Sequence, residues 1–252
     1  MFKRCTIFLY GVLSYAVFFG SFLWAVGFIG NFGVPHTLDG LPAMPFGTAL
    51  AIDLGLLALF AIQHSVMARP AFKRWLTRVI PVSAERSTYV LASSLALIVL
   101  MALWQPLGGN VWTVTDPTAR GVILGVFAFG WIIVLVSTFL INHFDLFGLR
   151  QVWLQLVMKP YTHLPFRTPG PYRYVRHPLY VGWVTVFWST STMSLSHLVF
   201  AVMTTAYILV AIQLEERDLV DAHPEYRAYR DEVPMIVPFT RKRFSGRMSS
   251  RA

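Results

Sequence analysis

Polar and turn-forming residues are concentrated at residues 170–182, GPYRYVRHPLYVG, directly before an apolar run. A simple membrane anchor needs only one or two basic residues at such a boundary. This stretch has two arginines, a histidine and three tyrosines, and an acidic pair, Glu215 and Glu216, follows 38 positions after His177. Such a combination of residue types indicates a binding site rather than an anchor.

The residues around Pro178 suit a negatively charged group. Proline is favoured in the first turn of a helix, and a helix that begins there presents free amides and the positive end of its dipole. Arg173 and Arg176 flank this helix start. Glu215 and Glu216 could bind an amine, a ribose hydroxyl or a buried arginine, so a ligand with carboxylate, amine and ribose groups would be served by both motifs.

The composition predicts an all-α, polytopic membrane protein. Of the 252 residues 56% are hydrophobic and only 13% are charged, whereas soluble domains have roughly 25% charged residues. Apolar segments at about 5–29, 46–67, 88–104 and 121–141 are each long enough to cross a bilayer. A fifth region, about 179–213, contains a polar break at 189–196 and predicts a helical hairpin with arms of roughly 15 residues, giving five to six membrane segments.

The distribution of basic residues predicts the orientation. If the N-terminus is cytoplasmic, all but Arg120 of the 21 lysine and arginine residues lie on the cytoplasmic side, as the positive-inside rule requires. The C-terminus is then cytoplasmic as well, because a single crossing after residue 179 would export the basic tail. The hairpin returns Glu215 to the side on which His177 begins, so the two motifs form one composite site.

We expect a single domain over residues 1–252. Residues 1–168 contribute the N-terminal helices and the acceptor side, 169–238 the cofactor-binding core, and 239–252 a basic tail. The net charge of +9 lies between apolar segments, which favours contact with lipid and not with nucleic acid. One cysteine, Cys5, and scattered histidines predict neither a disulfide framework nor a metal site.

The stretch at 170–182, followed by a short hairpin and LEERDLVDAHPEYRAYRDEVPMIVP, resembles the C-terminal core of the integral membrane methyltransferases. These include isoprenylcysteine carboxyl and phospholipid methyltransferases, which use S-adenosyl-L-methionine. The resemblance covers about residues 169–238 and implies that Tyr226 and Tyr229 belong to a tail that closes over the cofactor. It implies a cofactor site formed by Tyr172, Arg176, His177, Pro178, Tyr180, Gly182, Glu215 and Glu216.

Two upstream segments, at 63–81 and 137–154, are similar to the branch that contains the methanethiol S-methyltransferases and the related NnrU-like membrane proteins. This resemblance implies methylation of methanethiol to dimethyl sulfide at the cytoplasmic face of the inner membrane. The alternatives are a phospholipid amine or an isoprenylated cysteine as acceptor, or a membrane protein without enzymatic activity.

Thiol methylation requires a group that handles the proton of the thiol, because the thiolate is the nucleophile. The candidates are His143 with Asp145 at the end of the fourth span, His64 beside Gln63 at the end of the second, and Arg173 or Arg176 as a partner for the thiolate. His143 and Asp145 are two positions apart and would converge only if the helix ends near Asn142. We assign a structural role to Asp53, an acidic residue inside the second span.

Overall fold

The computed structural model describes residues 1–162, 164–238 and 240. It consists of helices apart from one short two-stranded ribbon, so the predicted all-α fold is confirmed. The basic tail expected at 239–252 lies, except for residue 240, outside the described residues. In chain order the elements are α1 (Phe2–Gly30), α2 (Phe46–Ala68), α3 (Pro70–Leu76), α4 (Glu85–Leu103), β1 (Asn110–Thr113), α5 (Pro117–Ile141), α6 (His143–Leu146), α7 (Leu149–Leu156), α8 (Pro178–Trp188), β2 (Thr192–Ser194), α9 (Leu195–Ala222) and α10 (Tyr226–Glu232).

Within the described residues, five helices are long and apolar enough to cross a membrane: α1, α2, α4 with the 3₁₀ turn before it, α5 and α9. The first four match the four predicted spans. Their ends follow local chemistry. Asp116 accepts a hydrogen bond from the amide of Ala119 (2.7 Å) at the start of α5, and Asn31 ends α1 in the left-handed conformation, φ 59°.

The expected hairpin is present, but the prediction of two equal arms is wrong. The first arm, α8, has 11 residues, and the second, α9, has 28. The polar residues after Trp188 leave the helix as β2, which pairs antiparallel with β1 from the loop between α4 and α5. The pairing satisfies backbone groups that a longer apolar helix would have satisfied internally. The hairpin tip therefore meets the loop on the side opposite to Glu215.

Side chains also hold this end of the bundle together. Asp39 bonds the hydroxyl of Ser194 and lies 3.6 Å from Nδ1 of the buried His197. Asp53 is fully buried in α2, and its Oδ1 accepts a hydrogen bond from the amide of Gln105 (2.8 Å). Gln105 follows the end of α4, so Asp53 satisfies an amide there, consistent with the structural role assigned to it.

The backbones of α5 and α8 approach closely at two glycines. A Cβ added to Gly182 would lie 2.8 Å from Cγ2 of Val134 and 2.9 Å from the carbonyl oxygen of Gly130. A Cβ added to Gly130 would lie 3.2 Å from the carbonyl oxygen of Gly182. Small residues allow such helix contacts in membranes. Gly182, expected to bind the cofactor, thus lies in a helix interface.

We predict that Gly182→Ala lowers the thermal unfolding temperature, because the added methyl forces α5 and α8 apart at a cost of about 1–3 kcal/mol. Gly125→Ala, on the partner helix α5, is the control, since a Cβ there has no neighbour within 4 Å. Unfolding is followed by tryptophan fluorescence in detergent. Equal unfolding temperatures for the two variants would contradict the assigned contact.

Candidate functional site

A buried ion pair joins the start of α8 to the end of α9. Nε of Arg176 lies 2.6 Å from Oε1 of Glu216, and its NH2 lies 3.3 Å from Oε2. Their side chains are only 7% and 8% exposed. The sequence left three possible partners for the acidic pair: an amine, a ribose hydroxyl or a buried arginine. The structure gives Glu216 the buried arginine.

Two further side chains complete this cluster. Nε2 of His177 lies 2.9 Å from Oε1 of Glu216, and the hydroxyl of Tyr226 donates to the same oxygen at 3.3 Å. Burial raises the pKa of Tyr226, and the charge of Glu216 raises it further, so the phenol keeps its proton and can donate. We call Arg176, His177, Glu216 and Tyr226 the clamp.

The clamp also holds the segment at 226–236, which we call the tail from here on, against the stretch at 170–182, which we call the motif. NH1 of Arg176 donates to the carbonyl oxygens of Arg230 (2.8 Å) and Val233. The amides of Arg176 and His177 donate to the carbonyl oxygens of Pro234 and Met235, at 2.9 and 3.2 Å. These two amides, at the positive end of α8, are therefore occupied by the tail. The hydroxyl of Tyr229 donates to the carbonyl oxygen of Tyr172, which places α10 over the motif.

The neighbouring carboxylate, Glu215, has a different environment. Its Oε2 accepts a hydrogen bond from the hydroxyl of Tyr180 at 2.9 Å. The charge of Glu215 also acts on the hydroxyls of Tyr89 and Tyr172, and Tyr180 interacts with Tyr89 and Tyr207. We call Glu215, Tyr180, Tyr89, Tyr172 and Tyr207 the Glu215 cluster. Its members belong to α4, to the 3₁₀ turn at Gly170–Arg173, to α8 and to α9.

His64 joins this cluster through Tyr89. The Tyr89 hydroxyl lies 2.8 Å from Nε2 of His64, and the Ser93 hydroxyl lies 3.2 Å from Nδ1. Gln63 donates to the same serine at 3.4 Å, while its own Oε1 is buried without a hydrogen-bond partner in the described part of the chain. The structure thus places His64 in direct contact with Tyr89, one of the tyrosines on which the charge of Glu215 acts.

His143 lies in a separate, closed environment. It is buried, its ring stacks on Phe139 with centroids 4.2 Å apart, and its nitrogens contact Thr138 and Tyr15, both at 2.8 Å. The Thr138 hydroxyl already donates to the Leu135 carbonyl, so Nδ1 of a neutral His143 must be the donor to Thr138. Its Nε2 then accepts from Tyr15, which occupies the lone pair that a base would use.

Asp145 does not share these partners. The fourth span does end at Ile141, as convergence with His143 required. However, Asp145 pairs with Arg150 at 2.8 Å and accepts from Tyr161 at 3.3 Å. The remaining candidate, Arg173, is exposed. Of the residues considered for the thiol proton, only His64 contacts a member of the Glu215 cluster through a described hydrogen bond.

Beside the clamp lies an apolar groove of about 430 Å³, bounded by residues such as Gly170, Tyr174, Val181 and Ile236. Its lining offers no charge or hydrogen-bonding surface, so it does not suit the polar groups of a cofactor. The described residues contain no group of three or more histidine, cysteine, aspartate or glutamate side chains placed to hold a metal ion.

Sequence reasoning missed Arg86, Tyr89 and Tyr207. Arg86 lies over the ring of Tyr89, 5.5 Å from its centroid, and Tyr207 bonds Ser65 at 3.0 Å. A signal was available, because Arg86, Tyr89 and Ser93 are spaced i, i+3 and i+7 and so share one face of α4. Polar residues aligned inside a membrane span are expected to be functional.

Comparison with known proteins identifies the family. Over 96% of this chain and 95% of the relative, the sequence is 56% identical to the methanethiol S-methyltransferase of Crocosphaera subtropica. It is 50% identical to that of Mycobacterium tuberculosis, over 94% and 98%. The chain belongs to the methanethiol S-methyltransferase family. The predicted resemblance is thereby confirmed, and the chain is a membrane methyltransferase.

More distant similarities agree with this membership. Residues 131–221 match the isoprenylcysteine carboxyl methyltransferase (ICMT) family, a range that contains the Arg176–Glu216 pair and Glu215 but not α2 or α4. Nurim of Bos taurus is 33% identical, over 77% of this chain and 78% of its own. No solved structure is significantly similar to the chain.

We predict that Glu216→Gln in this family member strongly destabilises the fold, because it leaves Arg176 buried without a charged partner, a loss of about 3–5 kcal/mol. Asp218→Asn, two residues further along α9, is the control. Asp218 pairs with Arg69 at 3.1 Å, but the two side chains are 40% and 33% exposed, so the expected loss is about 0–1 kcal/mol. Similar falls in unfolding temperature would contradict a buried clamp.

Proposed function

We propose that this protein transfers a methyl group from S-adenosyl-L-methionine to methanethiol, releasing dimethyl sulfide, at the cytoplasmic face of the cell inner membrane. The observation that carries the proposal is the similarity to relatives named methanethiol S-methyltransferase, which continues through α2 and α4 as well as the C-terminal core. The orientation follows from the basic residues, all but Arg120 of which are assigned to one side.

The Glu215 cluster suits the proposed cofactor. Glu215 supplies a negative charge, and the tyrosine rings around it offer faces that attract cations, as a sulfonium and an amine require. Oε1 of Gln63 is buried without a hydrogen-bond partner in the described residues, and buried polar atoms normally have one. Glu215, Tyr180 and Tyr172 would hold the cofactor, which supplies an electrophilic methyl group.

The clamp residues would act indirectly. Because Arg176, His177 and Glu216 bond one another and the tail, they fix α8 against α9 and so hold Tyr180 beside Glu215. Orientation of this kind can contribute about 7–11 kcal/mol to catalysis in favourable cases. The tail, held by the clamp over the motif, would limit the entry of water.

The thiol must also lose its proton. Among His143, Asp145, Arg173 and His64, the contacts favour His64, because only its partner Tyr89 also interacts with Glu215. His143 contacts Thr138 and Tyr15, neither of which belongs to the Glu215 cluster, Asp145 is paired with Arg150, and Arg173 is exposed. We therefore assign the removal of the thiol proton to His64.

The proposal is tested with the purified protein in detergent, given methyl-labelled S-adenosyl-L-methionine and methanethiol. Labelled dimethyl sulfide should appear in the headspace. Labelled lipid without a volatile product would favour a phospholipid acceptor. An absence of cofactor binding by calorimetry would overturn the assignment as a whole.

We predict that Glu215→Gln weakens binding of S-adenosyl-L-methionine about 10–100-fold, because a hydrogen bond or ion pair to a charged group contributes about 1.5–3 kcal/mol. Glu225→Gln is the control, since Glu225 is exposed at the start of α10 and lies 3.9 Å from His223. Calorimetry measures both dissociation constants. Unchanged affinity in Glu215→Gln would contradict the assignment of Glu215 to the cofactor site.

A further inference from the structure

Tyr89 connects the candidate base to the cofactor side of the site. On α4 it faces His64 on α2, with its hydroxyl 2.8 Å from Nε2 of the imidazole. The guanidinium of Arg86 lies over its ring, and Glu215 and Tyr207 both act on its hydroxyl. The Tyr89 hydroxyl therefore contacts the imidazole directly and lies within the electrostatic influence of the Glu215 carboxylate.

The hydroxyl partners of His64 allow either tautomer of its ring. Hydroxyls donate and accept hydrogen bonds, so Tyr89 and Ser93 can each adapt to either tautomer or to the protonated imidazole. The tautomer of His143 is fixed instead, because the proton of Thr138 is committed to the Leu135 carbonyl.

A second tyrosine hydroxyl that contacts α4 has only a structural role and serves as a comparison for Tyr89. The hydroxyl of Tyr10 on α1 bonds the hydroxyl of Thr88 on α4 at 2.9 Å, next in sequence to Tyr89. This bond links two helices and involves no titratable base. Tyr89 makes a comparable bond between α4 and α2, but its partner is an imidazole beside a carboxylate-containing cluster.

We propose that Tyr89 is a positioning residue for methyl transfer, its hydroxyl holding the imidazole of His64 in the orientation that takes the proton of the acceptor thiol. The inference rests on the proposed function. The S–H bond breaks with its proton going to a ring nitrogen, and its electron pair stays on the thiol sulfur. That sulfur bonds the methyl carbon as the bond from the methyl group to the donor sulfur breaks, and the proton then leaves the imidazole to water.

The test compares Tyr89→Phe with the wild-type enzyme on two small thiols. With methanethiol we expect kcat to fall about tenfold or more, with an unchanged KM for S-adenosyl-L-methionine. With 2,2,2-trifluoroethanethiol, a more acidic thiol that ionises largely without help, little should be lost. The loss with methanethiol should also shrink as the pH rises, because the solution then supplies thiolate.

Tyr10→Phe is the matched control and should behave as wild type with both thiols. His64→Gln should show the same pattern as Tyr89→Phe, and the double variant should be no slower than His64→Gln alone, because the two residues act as one unit. Equal losses with both thiols at every pH, or losses that add, would overturn the proposal in favour of a structural role.

Wild-type kinetics in Tyr89→Phe would also overturn it. Failure of the proposed function is a different result, because the wild-type enzyme itself would then methylate neither thiol. Size-exclusion profiles in detergent check that each variant is folded before its kinetics are compared.

Discussion

The ion pair between Arg176 and Glu216 is the interaction on which the arrangement of the site depends. A charge inside a membrane bundle is costly unless it is paired and hydrogen-bonded, and here each charge satisfies the other. Because Arg176 also binds the carbonyl oxygens of Arg230 and Val233, the same pair fixes the tail. The start of α8, the end of α9 and the segment after α10 thus become one unit, although up to 57 positions separate their contacts.

Two successive glutamates have different roles because of helix geometry. Neighbouring residues of an α-helix point about 100° apart, so Glu216 and Glu215 face different sides of α9. Glu216 is buried among Arg176, His177 and Tyr226, and all of its described partners belong to the protein. Glu215 accepts a hydrogen bond from Tyr180, and its charge also acts on the hydroxyls of Tyr89 and Tyr172. We infer that one carboxylate builds the site and the other serves the ligand.

Much of this organisation could be predicted from the sequence, and the failures have physical reasons. Hydropathy and charge are local properties of the sequence. The four long spans, and the hairpin that returns Glu215 to the side of His177, could therefore be predicted. The unequal hairpin arms could not be predicted, because β2 leaves the helix to pair with β1, and the paired residues Asn110 and Ser194 are 84 positions apart. The partner of Glu216 could be named only as one of three options. Tyr89 was missed although its face of α4 is recognisable, because an isolated tyrosine in an apolar helix is ambiguous without the facing His64.

The extent of the similarities suggests how donor and acceptor are divided between the two halves of the chain. The match to the ICMT family begins at residue 131, and therefore includes Tyr180 and Glu215 but not the helices that supply His64 and Tyr89. Methyl transfer requires the reacting atoms about 3–3.5 Å apart and in line, so donor and acceptor must meet where the two halves touch. The hydroxyl of Tyr89, which lies against His64 and interacts with Glu215, belongs to that boundary. If the proposed assignment of the site holds, a change of acceptor would require changes in α2 and α4, while the clamp and Glu215 could stay the same.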